Sequence, residues 1–310
     1  RAGEDVFAGN VQTQVGASFN TLYAVRRMGV KASHAGVIGT GPWASQILQT
    51  LENQEIQHIG KRDAVHDSGF CVALTDANAE RTFISTRGAE AYGSADAFDS
   101  VNPEKRDVVH VSGYTLVHHT ADALLAFVKR TTEHREFTAV FDPSPMISAV
   151  DDDVFRGMLA YRPIWSCNER EATLIAQRLA ALDSGDSCDC KVSRDMLQEI
   201  ESANVNEETV AWLCDRLQSP VIVRVGADGA WSAIPGDEVL RIPGFPMKAV
   251  DTNGAGDCHA GVLCALLCEG VPLEEAVRCA NAASALSVTR SGPATCPDRK
   301  EVERLLGRAF

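Results

Sequence analysis

Apolar and polar positions along this chain switch between two periods, and the switches outline the fold. Asp107-Val-Val-His-Val-Ser-Gly113 is a short apolar run of the kind a buried strand carries, and the stretch Ala121–Glu133 after it has the spacing of an amphipathic helix. The alternation repeats. Thr138-Ala-Val-Phe-Asp-Pro143 reads as a second strand, and Pro163-Ile-Trp-Ser-Cys-Asn168 as a third, running into a Glu-rich helix from Glu169. Pro220-Val-Ile-Val-Arg-Val-Gly226 is a fourth, and Ala230–Ile234 continues after a turn at Asp228-Gly229. Strands alternating with helices predict a doubly wound, mainly parallel central sheet flanked by helices on both faces, an α/β fold.

The early region has a different period. Gly69–Ser85 reads as two strands around an Asp76-Ala-Asn-Ala79 turn with no crossover helix. With Asp5–Gln14 it predicts a small antiparallel β lid, residues 1–17 and 66–92, beside an α/β core of 18–65 and 93–310 that carries the nucleotide site. A separate sheet beside a ligand cleft is suited to closing over it. Residues 177–210 read as a solvated loop and polar helix inserted into the core.

Composition narrows the function classes. The 310 residues suffice for one large domain with an appendage, and 45% hydrophobic with 23% charged residues is ordinary for a globular enzyme. A formal charge of −13 argues against nucleic acid or an anionic membrane as partner. No apolar run reaches membrane-spanning length, and no secretory leader is evident. The 10 cysteines are scattered, four of them (Cys258, Cys264, Cys268, Cys279) in apolar helical patterns, which suits reduced thiols and a cytoplasmic location. Cys188-Asp-Cys190 alone is weak evidence for a metal.

Asp251-Thr-Asn-Gly-Ala-Gly-Asp257 carries the most chemistry. It opens an apolar helix, so Gly254, Ala255 and Gly256 lie where backbone N–H groups stand unpaired at a helix start and can hold an anion. Asp257 would repel phosphate if binding were its only task. Beside an anion cradle it suits phosphoryl transfer, where an acid accepts the proton of an attacking hydroxyl. A plain Asp/Gly capping turn fits the same residues.

Three further segments fall at strand ends or helix starts, where open α/β sheets place ligands. Asn168-Glu-Arg-Glu171 could orient a hydrated Mg²⁺, or could simply cap a helix with acids in its first turn. Gly226-Ala-Asp-Gly229 is a tight turn that would let a nucleotide approach, with Arg224 near the phosphates. Gly16-Ala-Ser-Phe-Asn20 precedes a helix over Thr21–Met28; its Asn has the donor and acceptor to read a polyol, or serves as an N-cap.

Taken in order, these segments resemble the ribokinase, or PfkB, family of carbohydrate kinases. Gly16…Asn20…Gly29 is similar to its N-terminal signature, Asn168-x-x-Glu171 to its Asn-x-x-Glu motif, Gly226-x-x-Gly229 to the turn after its late strand, and Asp251–Asp257 to its C-terminal signature. Asn281-Ala-Ala-Ser-Ala-Leu-Ser-Val-Thr-Arg-Ser-Gly292 resembles the family's segment by the adenine pocket. The resemblance spans the chain. It implies ATP, Mg²⁺ and phosphoryl transfer to a hydroxyl of a small sugar. Asp257 would be the base and Gly254, Ala255 and Gly256 the anion hole. Asn168 and Glu171 would handle Mg²⁺ through water, and Asn168, Arg224, Gly226, Gly229 and Asn281 the nucleotide. Gly16, Asn20 and Asp257 would face the acceptor. The helix dipole is expected to keep Asp257 ionised and weakly basic. Some relatives bind a monovalent cation near the loop holding Asp251 and Asn253, and the resemblance leaves that open here.

The chain departs from the family where substrate is read. Val15 replaces a paired glycine, Gly39-Thr-Gly41-Pro42-Trp43 lacks the family's two acids, and Arg224 stands where many relatives have Thr or Lys. Relatives carry a core strand, ending in a sugar-binding Asp, ahead of the position where this sequence starts. Arg81 and Arg87 border the lid pair, where they could meet a phosphorylated sugar or remain solvated edge charges. A nucleoside kinase and a non-catalytic sugar- or nucleotide-binding regulator are the alternatives to a sugar kinase. A homodimer formed through the lid is expected, because its strand edges invite pairing.

Overall fold

The computed structural model describes residues 9, 11–75, 81–183 and 205–310. Three of the predicted strands form β5 (Val108–Ser112), β6 (Thr138–Asp142) and β7 (Ile164–Asn168), and they pair in parallel in that order. β8 (Val221–Arg224) adds a fourth parallel strand beside β7. The segment after the Asp228-Gly229 turn is β9 (Gly229–Ala233), which doubles back antiparallel to β8, and β10 (Leu240–Pro243) closes that edge, again antiparallel. The sheet order is therefore β10-β9-β8-β7-β6-β5.

Period-two alternation divides the apolar core. Ala139 and Phe141, and likewise Val221 and Val223, point into one core cluster; Val140 and Ile222 between them point into another. The first cluster is covered by α3 (Thr120–Thr132), α4 (Asp152–Tyr161), α5 (Glu169–Asp183) and α6 (Glu207–Leu217). The second is covered by α1 (Ser18–Arg27), α7 (Ala255–Cys268), α8 (Leu273–Ser287) and α9 (Arg299–Leu306). α7 is buried almost all round, as its apolar run requires. α1 begins at Ser18, three residues earlier than its expected start.

Two small sheets stand apart from this core. β1 (Ser33–His34) and β2 (Gln57–His58) pair in parallel around α2 (Pro42–Asn53). β3 (Cys71–Thr75) and β4 (Arg81–Ser85) form the predicted antiparallel hairpin, with Val72, Leu74 and Ile84 exposed. The lid was expected to include a strand over Asp5–Gln14. Residues 11–14 carry no regular structure, and the earlier part of that segment, like the 76–79 turn, Cys188 and Cys190, lies outside the described residues.

Trp165 anchors the first core. Its ring is fully buried, edge-on to Phe141 at 4.8 Å and to Phe155 at 6.1 Å, and its indole N–H has no partner. Trp165→Ala should lower unfolding free energy by about 3–5 kcal/mol. Trp165→Phe should cost much less, because it keeps a ring against Phe141 and removes a buried unpaired donor worth about 1–3 kcal/mol. Urea titrations of both variants check this.

Candidate active site

Adjacent strands bring their last residues into a row at the carboxyl edge of the sheet. Ser112 is registered against Asp142, and Asn168 against Arg224. Arg224 reaches back along this row. Its Nη1 and Nη2 lie 3.2 and 3.3 Å from Asp142 Oδ2, its Nη2 lies 3.4 Å from Glu171 Oε2, and Nη1 also reaches Ser166 Oγ at 3.4 Å. These side chains are largely out of water. Burial, then the neighbouring Asp142, raises the Glu171 carboxyl above the usual range, while Arg224 opposes the rise. Asp142 was not among the candidates read from sequence. Its place as the last residue of a strand was the available signal.

Asn168 and Glu171 cap α5 reciprocally. The Glu171 N–H donates to Asn168 Oδ1, and the Asn168 N–H to Glu171 Oε2, each at 2.8 Å. The capping reading of this segment therefore holds in full. It also presents the Glu171 carboxylate to Arg224, so the cap and the charge cluster share one group.

The Asp251–Asp257 loop lies over this row. Asp251 Oδ1 accepts from Asn253 N–H and its Oδ2 from Gly292 N–H, which ties the loop to the 290–293 segment. Gly254 is left-handed at φ 76°, and a Cβ there would overlap the Pro293 carbonyl. Only glycine satisfies both constraints. The Ala255 N–H already donates weakly to Thr252 O at 3.3 Å, so the donors of the nest shift toward Gly256 and Asp257 in the first turn of α7. A Cβ at Gly256 would lie 3.7 Å from the Arg224 guanidinium carbon. A fixed cation thus sits directly against the anion cradle.

Asp257 takes its place through α1. Asn20 Nδ2 donates to Asp257 Oδ2 at 2.7 Å, while Asn20 Oδ1 is buried with no partner. A buried acceptor left without a partner on the amide that holds Asp257 is suited to a ligand hydroxyl. Gly16, four residues before Asn20, is half-buried, and a Cβ there would meet nothing within 4 Å. The expectation that the helix dipole keeps Asp257 a weak base is not met. Burial raises its carboxyl to about 6, with Asp142 adding to the rise and the Asn20 amide and Arg224 opposing it. Loss of hydration outweighs the helix dipole here.

Gly226 and Gly229 bound the turn after β8, both at positive φ, and the Gly229 backbone is pressed against Ile242–Gly244 of the β10 edge. Asn281, expected beside adenine, is held by protein partners. Its side chain is buried, accepts through Oδ1 from His259 Nε2 at 3.2 Å, and donates through Nδ2 to Ile242 O and Pro243 O. It clasps α7, α8 and β10 together. Tyr114, just beyond β5, is a further exposed residue near Asp257 that sequence reasoning passed over.

The family model described as pfkB family carbohydrate kinase matches residues 8–300. An uncharacterised sugar kinase of Escherichia coli (strain K12), YegV, is 30% identical over 93% of this chain and 81% of its own length. The fructokinase of Klebsiella pneumoniae is 27% identical, covering 96% of this chain and 92% of that protein. Among solved structures, ribokinase from Thermotoga maritima superposes with a TM-score of 0.76 at 23% identity, over 99% of this chain and 93% of the other. Ribokinase from Cryptococcus neoformans in complex with ADP superposes with a TM-score of 0.77 at 22% identity, over 98% and 92%.

The raised Asp257 carboxyl has a consequence for stability. A folded pKa of about 6 against a reference of 3.8 favours the native state while Asp257 is protonated. That contribution is complete below pH ~4 and lost as pH rises through about 6. Asp257→Asn should therefore be more stable than the parent at pH 8, by up to about 3 kcal/mol, and the gap should close between pH 6 and 4. Thermal melts across that range read it directly.

Proposed function

Because the chain belongs to the pfkB family of carbohydrate kinases, which are phosphotransferases, we propose that it transfers the γ-phosphoryl group of ATP to a hydroxyl of a small sugar, with Asp257 as the base. The observation that carries this reading is the Asn20–Asp257 hydrogen bond at 2.7 Å beside the Gly254–Gly256 nest. It joins the acceptor-side signature to the phosphoryl-side one.

In this scheme the acceptor hydroxyl lies between Asn20 Oδ1 and Asp257. Its oxygen attacks the γ-phosphorus, the bond from that phosphorus to the oxygen of ADP breaks, and the hydroxyl proton passes to an Asp257 oxygen. Asn20 donates to the other oxygen and holds the carboxylate in line. The N–H groups of the first turn of α7 stabilise the charge spread over the transferred group, with Arg224 behind Gly256 adding a positive field. A pKa near 6 makes Asp257 a better base than an exposed aspartate and still leaves it mostly ionised at neutral pH.

Mg²⁺, when bound, would neutralise charge on the β- and γ-phosphates. The donors present suit contact through water. Glu171 Oε2 and Asn168 Oδ1 already accept from each other's backbone N–H. Among the described residues no group of three or more His, Cys, Asp and Glu could grip an ion directly. A monovalent cation, if used, would lie by the Asp251–Asn253 loop. The Gly226–Gly229 turn borders the nucleotide in this reading. The lid in this reading is the β3–β4 hairpin, Cys71–Thr75 with Arg81–Ser85, beside the α/β core. Buried free thiols such as Cys258, Cys264 and Cys279 suit a reducing cytoplasm.

Asp257→Asn should lower kcat by several orders of magnitude while ATP binding persists. Near-normal turnover by that variant would remove Asp257 as the base, and a parent that binds ATP yet phosphorylates no acceptor would favour a regulatory role. For the parent, kcat/KM should fall about tenfold per pH unit below about 6, as Asp257 takes up its proton. The lid hairpin exposes Val72, Leu74 and Ile84 and pairs with no further strand among the described residues, which supports a homodimer formed through it. Light scattering should give twice the chain mass, falling to one on Leu74→Lys with Ile84→Lys.

A further inference from the structure

One exposed aromatic stands at the rim of the Asp257 site with no role in the scheme above. Tyr114 lies in the helical turn Gly113–Val117 that follows β5 and is 52% exposed. Ser112 at the end of β5 is registered against Asp142. Tyr114, two residues on, therefore stands over the carboxyl edge that holds Asp142, Asn168 and Arg224, where ligands of open α/β sheets bind. The turn is anchored from below, because Gly113 passes so close to Pro143 that a side chain would overlap the Pro143 carbonyl. The charges that reach the Tyr114 hydroxyl are Glu171, Asp257, Asp142 and the Cys71 thiol, which opens lid strand β3. Tyr114 thus feels groups of both the lid and the Asp257 site.

Resting on the kinase reading, we propose that Tyr114 is a specificity-determining residue whose ring packs against the carbon face of the acceptor and whose hydroxyl donates to an acceptor hydroxyl, selecting neutral polyols over acceptors that carry a phosphate at that end. An aromatic side chain with a polar tip offers both contacts in one rigid group. Burial and the surrounding carboxylates hold the hydroxyl above its ordinary pKa, so it remains a donor. Those carboxylates, Glu171, Asp257 and Asp142, would repel a second phosphate. Arg87, one of the two cations that sequence offered for a phosphorylated sugar, instead lines a cavity of about 620 Å³ with Tyr92, His118, His119 and Asp122, which includes none of the residues around Asp257. The side chain of the other, Arg81, lies outside the described residues.

The test compares the parent chain, Tyr114→Phe and Tyr114→Ala. D-ribose, D-fructose, adenosine, ribose 5-phosphate and fructose 6-phosphate serve as acceptors, with binding followed by calorimetry and turnover by ADP release. Tyr114→Ala should raise Kd and KM for the neutral acceptors about 30-fold, and Tyr114→Phe about fivefold, with kcat within threefold and KM for ATP unchanged. The phosphorylated acceptors should bind the parent at least tenfold more weakly than their neutral counterparts. Acceptor Kd and KM within twofold of the parent in Tyr114→Ala, at an unchanged melting temperature, would overturn the assignment. So would tighter binding of the sugar phosphates. A parent that binds these acceptors without turnover fails the kinase reading alone, because the Kd comparison still decides Tyr114. A parent that binds none of them overturns both.

Discussion

The close approach of α1 to α7 is the contact on which the site depends. It occurs at Gly261, where a Cβ would overlap the Thr21 carbonyl and come within 2.6 Å of Ala24 Cβ. Glycine in a helix interior costs stability relative to alanine, about 1 kcal/mol. Here it lets two helix backbones touch. Asp257 lies one helical turn before Gly261, and Asn20 one residue before Thr21, so this crossing sets the 2.7 Å bond between the Asn20 amide and the Asp257 carboxylate. Asp257, the proposed base, and Asn20, proposed to read the acceptor, are thus fixed by one packing decision in the core.

Beneath that crossing, the carboxyl edge of the sheet concentrates charge that the rest of the chain would oppose. With a formal charge of −13, the protein has no general attraction for a polyanion. The answer is local. Arg224 is locked between Asp142 and Glu171 and pressed against the cradle at Gly256. The first turn of α7 adds oriented N–H groups. Burying this cluster is not free, since each ion gives up hydration. The raised carboxyls of Glu171 and Asp257 are the visible sign of that cost. In Asp257 the same desolvation brings a carboxylate into the basicity range useful near neutral pH, so stability and chemistry pull in opposite directions at one group.

Much of this was legible in the chain. Short apolar runs separated by amphipathic stretches placed β5 to β8 within a residue or two, because a buried parallel strand must be apolar on both faces. The glycine-and-acid loop at 251–257 could be read as an anion cradle because unpaired N–H groups at a helix start are a local property. The Asn168–Glu171 cap was equally readable, as a spacing within one turn. The reversal of β9 and β10, the tasks of Asp142 and Asn281, and the place of Tyr114 were not. Each depends on residues far along the chain: Asp142 on Arg224, Asn281 on Ile242, and the turn that carries Tyr114 on Pro143 under Gly113.

Sequence by itself determined the elements, their order, and the residue types able to cradle phosphate and take a proton, because periodicity, glycine placement and helix starts act over a few neighbouring residues. Tertiary structure alone decided which of these residues meet, and what their charges become on meeting. Asp257 is the clearest case. Read locally, the helix dipole should have kept it a weak base. Its burial among Asn20, Asp142 and Arg224, none of them near it in sequence, raises its pKa to about 6, because desolvation is set by everything that surrounds a group in space.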